Sequence, residues 1–90
     1  MLMVAFMNRE AFERTLRTGQ VHYYSRSRDQ LWLKGETSGH LQQVHALYIN
    51  CEENSLLVQI TQIGGSACHT GHISCYYRRI DEAGKLVEVE

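Results

Sequence analysis

Two of the three cysteines and two of the five histidines fall within nine residues, Ala67-Cys68-His69-Thr70-Gly71-His72-Ile73-Ser74-Cys75. Cys68 and Cys75 are seven apart, wider than the tight pairs of common structural zinc modules. Thiolates bind soft or borderline metals, and Zn2+ accepts them without redox chemistry. Two ligands do not close a tetrahedral site. Cys51 lies seventeen residues upstream, between polar neighbours in Asn50-Cys51-Glu52-Glu53-Asn54. An odd count leaves one thiol over from any all-disulfide framework. Three thiolates with an open fourth position, filled by water, are instead the outline of a catalytic zinc site. Buried or incidental thiols are the plainer alternative.

His69 follows Cys68 directly, and an imidazole beside an activated water is a candidate general base or proton shuttle. His72 reads as a surface residue, and His22 and His45 as hydrogen-bonded structural histidines in strand-like segments. Ser25-Arg26-Ser27-Arg28 puts two guanidinium forks and two hydroxyls in four residues, a set suited to phosphate. Lys34-Gly35-Glu36-Thr37-Ser38-Gly39 adds a polar loop that can approach a phosphate closely. Taken alone, a Ser-Arg-Ser-Arg run reads better as a solvated turn, and Trp32 better as core than as a stacking platform.

In order along the chain, Ser25–Arg28, Leu31–Gly39, Asn50–Glu52, Ala67–Gly71 and Ser74–Tyr77 resemble the signature of the phosphoribosyl-AMP cyclohydrolases of histidine biosynthesis. The resemblance runs from about Leu2 to Arg79. It implies a zinc-dependent hydrolase that opens the adenine ring of N1-(5-phosphoribosyl)-AMP at the C6–N1 bond. By the same resemblance Cys51, Cys68 and Cys75 hold zinc and His69 is catalytic. Arg26, Arg28, Trp32, Lys34, Glu36, Thr37 and Ser38 then form the substrate site. Zinc-dependent attack on adenine C6 by nucleobase deaminases is an analogy for this chemistry. In the family the segment around Cys51 usually reads Asp-Cys-Asp-x-Asp, and its acids bind Mg2+. The matching residues here are Asn50, Glu52 and Asn54, so Mg2+ should bind more weakly, or the segment is an ordinary polar turn. His40 stands where the family often has Asn, a variation tolerated near the site.

The elements that must position these groups form one domain over residues 1–90. A chain of ninety residues buries roughly 60–65% of its unfolded surface, so metal binding or dimerisation would help it hold together. Leu2–Phe6 reads as a buried strand. The family carries a further strand region before it, so either the sequence is a shortened piece of a longer chain or a partner covers the sheet edge. Asn8 caps a helix over about Arg9–Arg17, with Ala11, Phe12 and Leu16 on one face and Gly19 beyond its end. Val21–Ser25 and Leu31–Leu33 form a hairpin. Val44–Ile49 and Leu56–Ile63 are strands joined by the turn Asn50–Ser55. Ser74–Ile80 is a further strand, and a turn at Asp81–Lys85 leads to Leu86–Val89. The fold class is α+β: a small, mainly antiparallel sheet domain with one helix near the N-terminus. The resemblance implies an intertwined homodimer in which Cys51 reaches the zinc of the other copy.

A formal charge of −1 supplies no general attraction to nucleic acid or membranes. No apolar run is long enough for a membrane span, and few cysteines without a secretory signal point to the cytoplasm. The partners expected are a small nucleotide and a second copy of the chain. Two rival readings remain. One is a zinc hydrolase of another nucleotide-like substrate; the other is a non-catalytic module whose zinc is closed by His69 or His72.

Overall fold

The computed structural model describes residues 1–89. The chain divides into two compact units, Ala5–Gly64 and the segment Met1–Val4 together with the chain from Gly65 onward.

The larger unit opens with α1 (Arg9–Thr18). The Asn8 side chain accepts the Ala11 amide at 2.9 Å, satisfying a donor that the first helical turn leaves open. Glu10 and Arg17 sit at the ends that the helix dipole favours. Gly19 stops the helix at φ 72°, and its amide donates to the Thr15 carbonyl. The buried face differs from the expected one. Ala11 and Thr15 are fully enclosed, whereas Leu16 is 57% exposed and Phe12 half-buried. Thr15 faces inward because its hydroxyl has two backbone uses. It donates to the Ala11 carbonyl and accepts the His22 amide, at 2.8 and 2.9 Å, tying α1 to the first strand.

Strands β1 (His22–Ser25) and β2 (Gln30–Leu33) form the expected hairpin, with Tyr23 opposite Trp32 and Ser25 opposite Gln30. Strands β3 (Gln42–Ile49) and β4 (Leu56–Gln62) form the second, with Gln42 opposite Gln62 and a bulge at His45. Along β4, Leu56, Val58, Ile60 and Gln62 turn inward while Leu57, Gln59 and Thr61 turn out, the period of a half-buried strand. An isolated bridge between Gln20 and Gln43 joins the two hairpins, with Val21 donating to the Gln42 carbonyl and Val44 to that of Gly19. His22 is buried with Nδ1 on the Gln20 carbonyl, a structural histidine as expected. His45 is exposed, and its Nε2 meets the Thr61 hydroxyl.

The smaller unit carries β5 (Arg78–Ile80) and β6 (Leu86–Glu88), an antiparallel pair about the Asp81–Lys85 turn. Two expectations fail here and at the chain start. Leu2–Phe6 is not a strand: among its residues Val4 is 68% and Phe6 55% exposed. Ser74–Tyr77 is irregular, and the strand begins at Arg78. The cause is shared. The Ser74 hydroxyl donates to the Met1 and Leu2 carbonyls and the Cys75 amide to that of Leu2, so these groups are used outside any ladder. His72 is half-buried and stacks on Tyr77 at 3.6 Å, which corrects its reading as a plain surface residue.

One helix and small antiparallel sheets thus make an α+β chain, although the described strands pair as three two-stranded sheets. Among the described residues the buried apolar set is Ala11, Val21, Ala67 and Cys68. Isolated two-stranded ribbons with so little core are marginal in water.

Candidate functional site

Six of the seven residues expected to hold substrate line one open cleft of about 600 Å³ in the larger unit: Arg28, Trp32, Lys34, Glu36, Thr37 and Ser38. The β1–β2 hairpin forms one wall and the loop after β2 the other. Trp32 is half-buried against Tyr23, ring centroids 5.2 Å apart, and Lys34 Nζ lies 5.9 Å from the indole centre. Indole, ammonium and guanidinium thus offer a π-face and two cations along one groove, a combination suited to a base with phosphate arms. Arg26 is the exception. Its guanidinium lies over the Phe6 ring, 4.4 Å from the centroid.

Two turns shape the groove. In the first, the Ser25 hydroxyl accepts the Arg28 amide at 3.4 Å, and the Tyr24 hydroxyl donates to the Asp29 carboxylate. That hydrogen bond, aided by desolvation and the nearby negative charge, pushes the Tyr24 phenol above its ordinary pKa. In the second, the Gly39 amide donates to the Gly35 carbonyl at 2.8 Å, folding the loop back on itself. Gly35 has φ 85°, and a Cβ there would stand 2.4 Å from the His40 carbonyl carbon. Glycine is therefore required where the loop closes. Gln30 also lines the cleft, and no motif pointed to it. Its place follows from pairing with Ser25, a matter of register that motifs do not carry.

Cys51 sits in the exposed tip between β3 and β4. The tip is a tight turn, not an extended segment, so alternate residues there do not face opposite sides. Asn50 organises it: Oδ1 accepts the Asn54 and Ser55 amides at 3.0 and 2.9 Å, and Nδ2 donates to Asn54 Oδ1 at 2.7 Å. Both amide oxygens that could ligate Mg2+ already take part in the turn, while the Glu52 side chain is exposed. The double variant Asn50→Asp, Asn54→Asp replaces an amide–amide contact with two adjacent carboxylates. It should bind Mg2+ more tightly than the present sequence in a calorimetric titration; equal affinity would show that these side chains do not set Mg2+ binding.

In the smaller unit the Cys68 loop closes through Cys68 N–H to the His72 carbonyl at 3.2 Å and Gly71 N–H to the Cys68 carbonyl at 3.0 Å. The Ser66 hydroxyl spans the loop, reaching the Cys68 and His72 carbonyls at 3.0 and 2.9 Å. Cys68 is buried, with Sγ 3.0 Å from the Thr70 hydroxyl, whereas His69 and Cys75 are exposed. None of the three cysteines forms a disulfide. Their chemistry fits a thiophilic divalent metal, and a hydroxyl beside one sulfur suits a thiolate. Among the described residues of one chain, no three His, Cys, Asp or Glu side chains converge on a metal position. No helix among them is long and apolar enough to cross a membrane.

Comparison with known proteins identifies the family. The family described as phosphoribosyl-AMP cyclohydrolase matches residues 3–77. A Rhodopseudomonas palustris protein named phosphoribosyl-AMP cyclohydrolase is 57% identical over 83 residues, covering 92% of this chain and 55% of the relative. Proteins of the same name from Methanococcoides burtonii and Desulfotalea psychrophila are 59% and 48% identical. They cover 89% and 97% of this chain, and 65% and 68% of their own lengths. The chain therefore spans between about half and two thirds of these relatives' length. With a family match over most of its residues and identities of this size, the chain belongs to the phosphoribosyl-AMP cyclohydrolase family.

Proposed function

We propose that this protein hydrolyses N1-(5-phosphoribosyl)-AMP at the C6–N1 bond, opening the purine ring, as a zinc-dependent enzyme of histidine biosynthesis. Family membership together with the cleft that gathers Arg28, Trp32, Lys34, Glu36, Thr37 and Ser38 carries the reading. The substituted N1 makes the ring electron-poor, so C6 is open to attack by water. Cys51, Cys68 and Cys75 would hold Zn2+, which would supply the Lewis acidity needed to activate water near neutral pH. His69 takes the proton from the attacking water and returns one to the departing ring nitrogen. Arg28 and Lys34 bind the phosphate arms, and Trp32 packs against the base, so that C6 is presented in one orientation.

The active unit is a homodimer in which Cys51 completes the site of the second copy, whose own loop supplies Cys68 and Cys75. The hairpin tip that carries Cys51 supports this. Next to it Tyr48, Ile49 and Leu57 are 53%, 59% and 59% exposed, an apolar tip that a second copy would cover. The location is cytoplasmic.

Turnover of phosphoribosyl-AMP, followed by absorbance, tests the activity. It should stop when a chelator removes zinc and return when zinc is restored, with AMP and cytidine inert. Turnover of AMP or cytidine without the phosphoribosyl substrate would point to a different zinc hydrolase. A metalled protein without any turnover would point to a binding module.

A further inference from the structure

We propose that Gln62 is a positioning residue for the substrate cleft, acting at the end of a one-way hydrogen-bond relay, Tyr23 to Gln42 to Gln62. The inference rests on the proposed substrate site. Gln62 Nε2 donates to the carbonyls of His40, Leu41 and Ile63 at 3.0, 3.2 and 3.2 Å. Carbonyls can only accept, so the amide is oriented with its nitrogen toward them. Gln62 Oε1 is thereby turned to accept, and Gln42 Nε2 donates to it at 2.9 Å. Gln42 Oε1 in turn faces Tyr23 and accepts the phenol proton. Each orientation dictates the next. Gln42, at 1% exposure, is the largest fully buried side chain among the described residues. A buried polar residue of that size is stable through such bonds, and a satisfied network rigidifies what it joins.

What it joins are the two walls of the cleft. At one end Tyr23 packs on Trp32, its cross-strand partner. At the other, the His40 carbonyl held by Gln62 belongs to the peptide against which Gly35 closes the loop. The His40 ring lies against Gly64, where an added Cβ would stand 2.2 Å from its Cδ2. Gln62 therefore sets the span between Trp32 and the Lys34–Ser38 loop without lining the cleft itself. Displacing groups that hold a substrate equally in the ground and transition states raises KM and leaves kcat little changed.

The test uses Gln62→Leu, which keeps bulk and removes every donor, and Tyr23→Phe, which keeps the ring and removes the relay's first proton. For phosphoribosyl-AMP, Gln62→Leu should raise KM about tenfold or more with kcat changed less than about threefold, and zinc content should stay that of the parent. Tyr23→Phe should move KM in the same direction by a smaller factor. Hydrogen exchange in the substrate-free protein gives a second readout. The Gly39 amide should exchange faster in both variants while the β3–β4 ladder stays protected. An unchanged KM with unchanged Gly39 exchange overturns the proposal. So does a fall in zinc content and kcat together with loss of ladder protection, which marks general destabilisation. If Gln62→Leu does not fold, Tyr23→Phe decides by the same measures. If the parent does not turn over phosphoribosyl-AMP, the functional reading fails, and Gly39 exchange still judges the relay.

Discussion

Replacing any one of Cys51, Cys68 and Cys75 by Ser should strip the protein of zinc and take its turnover of phosphoribosyl-AMP to background. A hydroxyl is a hard, largely protonated donor where a soft thiolate is wanted. Loss of an outer-shell partner alone costs about 10–100-fold in metal affinity, and loss of a ligand should cost more. The informative step is to mix the dead variants. If the proposed shared site holds, Cys51→Ser and Cys68→Ser chains, combined after mild unfolding, should form heterodimers. In each, one site lacks both altered ligands and the other retains all three. Free exchange of chains in a two-fold dimer then restores roughly a quarter of parental activity, with a matching share of zinc. Zinc bound within a single chain predicts no recovery at all. An active species that sediments as a monomer would also sink the shared site.

His69→Ala should lower kcat by about 10²–10⁴-fold with zinc retained, the usual effect of removing a general acid–base group. The geometry favours such a separation of roles. His69 is exposed beside a buried Cys68, in a loop whose closure depends on backbone bonds and on Ser66, not on the imidazole. Loop shape and metal content should therefore survive the substitution. Zinc analysis of the variant is the check. Loss of metal along with activity would make His69 a ligand and return attention to a closed, non-catalytic zinc site.

The cleft and the thiol loop impose opposite demands on the chain. The groove between β1–β2 and the Lys34–Ser38 loop is held by close packing at Gly35 and by turn hydrogen bonds within one compact unit. Cys51 lies on the exposed tip between β3 and β4, and Cys68 is buried in the loop that Ser66 closes. On the proposed shared site, the substrate cleft forms within one chain while zinc binding needs a second copy, which the complementation experiment tests.

Much of this was legible in the residues themselves. The caps at Asn8 and Gly19, the two hairpins and the polar turn at Asn50–Ser55 are local, because turn chemistry and period-two alternation act over a few residues. The ordered motifs were legible for a related reason: the groups proposed to bind phosphate and metal cluster on short turns. Tertiary structure decided the rest. Leu2–Phe6 and Ser74–Tyr77 have strand-like composition, yet Ser74 and Cys75 spend their hydrogen bonds on the first two residues instead of a ladder. Thr15 displaced Leu16 from the helix's inner face because a hydroxyl could meet the His22 amide seven residues away. Arg26 left the cleft for Phe6. Gln42 and Gln62 carry no motif, and their pairing exists because strand register sets them opposite each other, below a tyrosine from another hairpin. Sequence specifies what each short segment can bond to; the three-dimensional register determines which of those bonds are made.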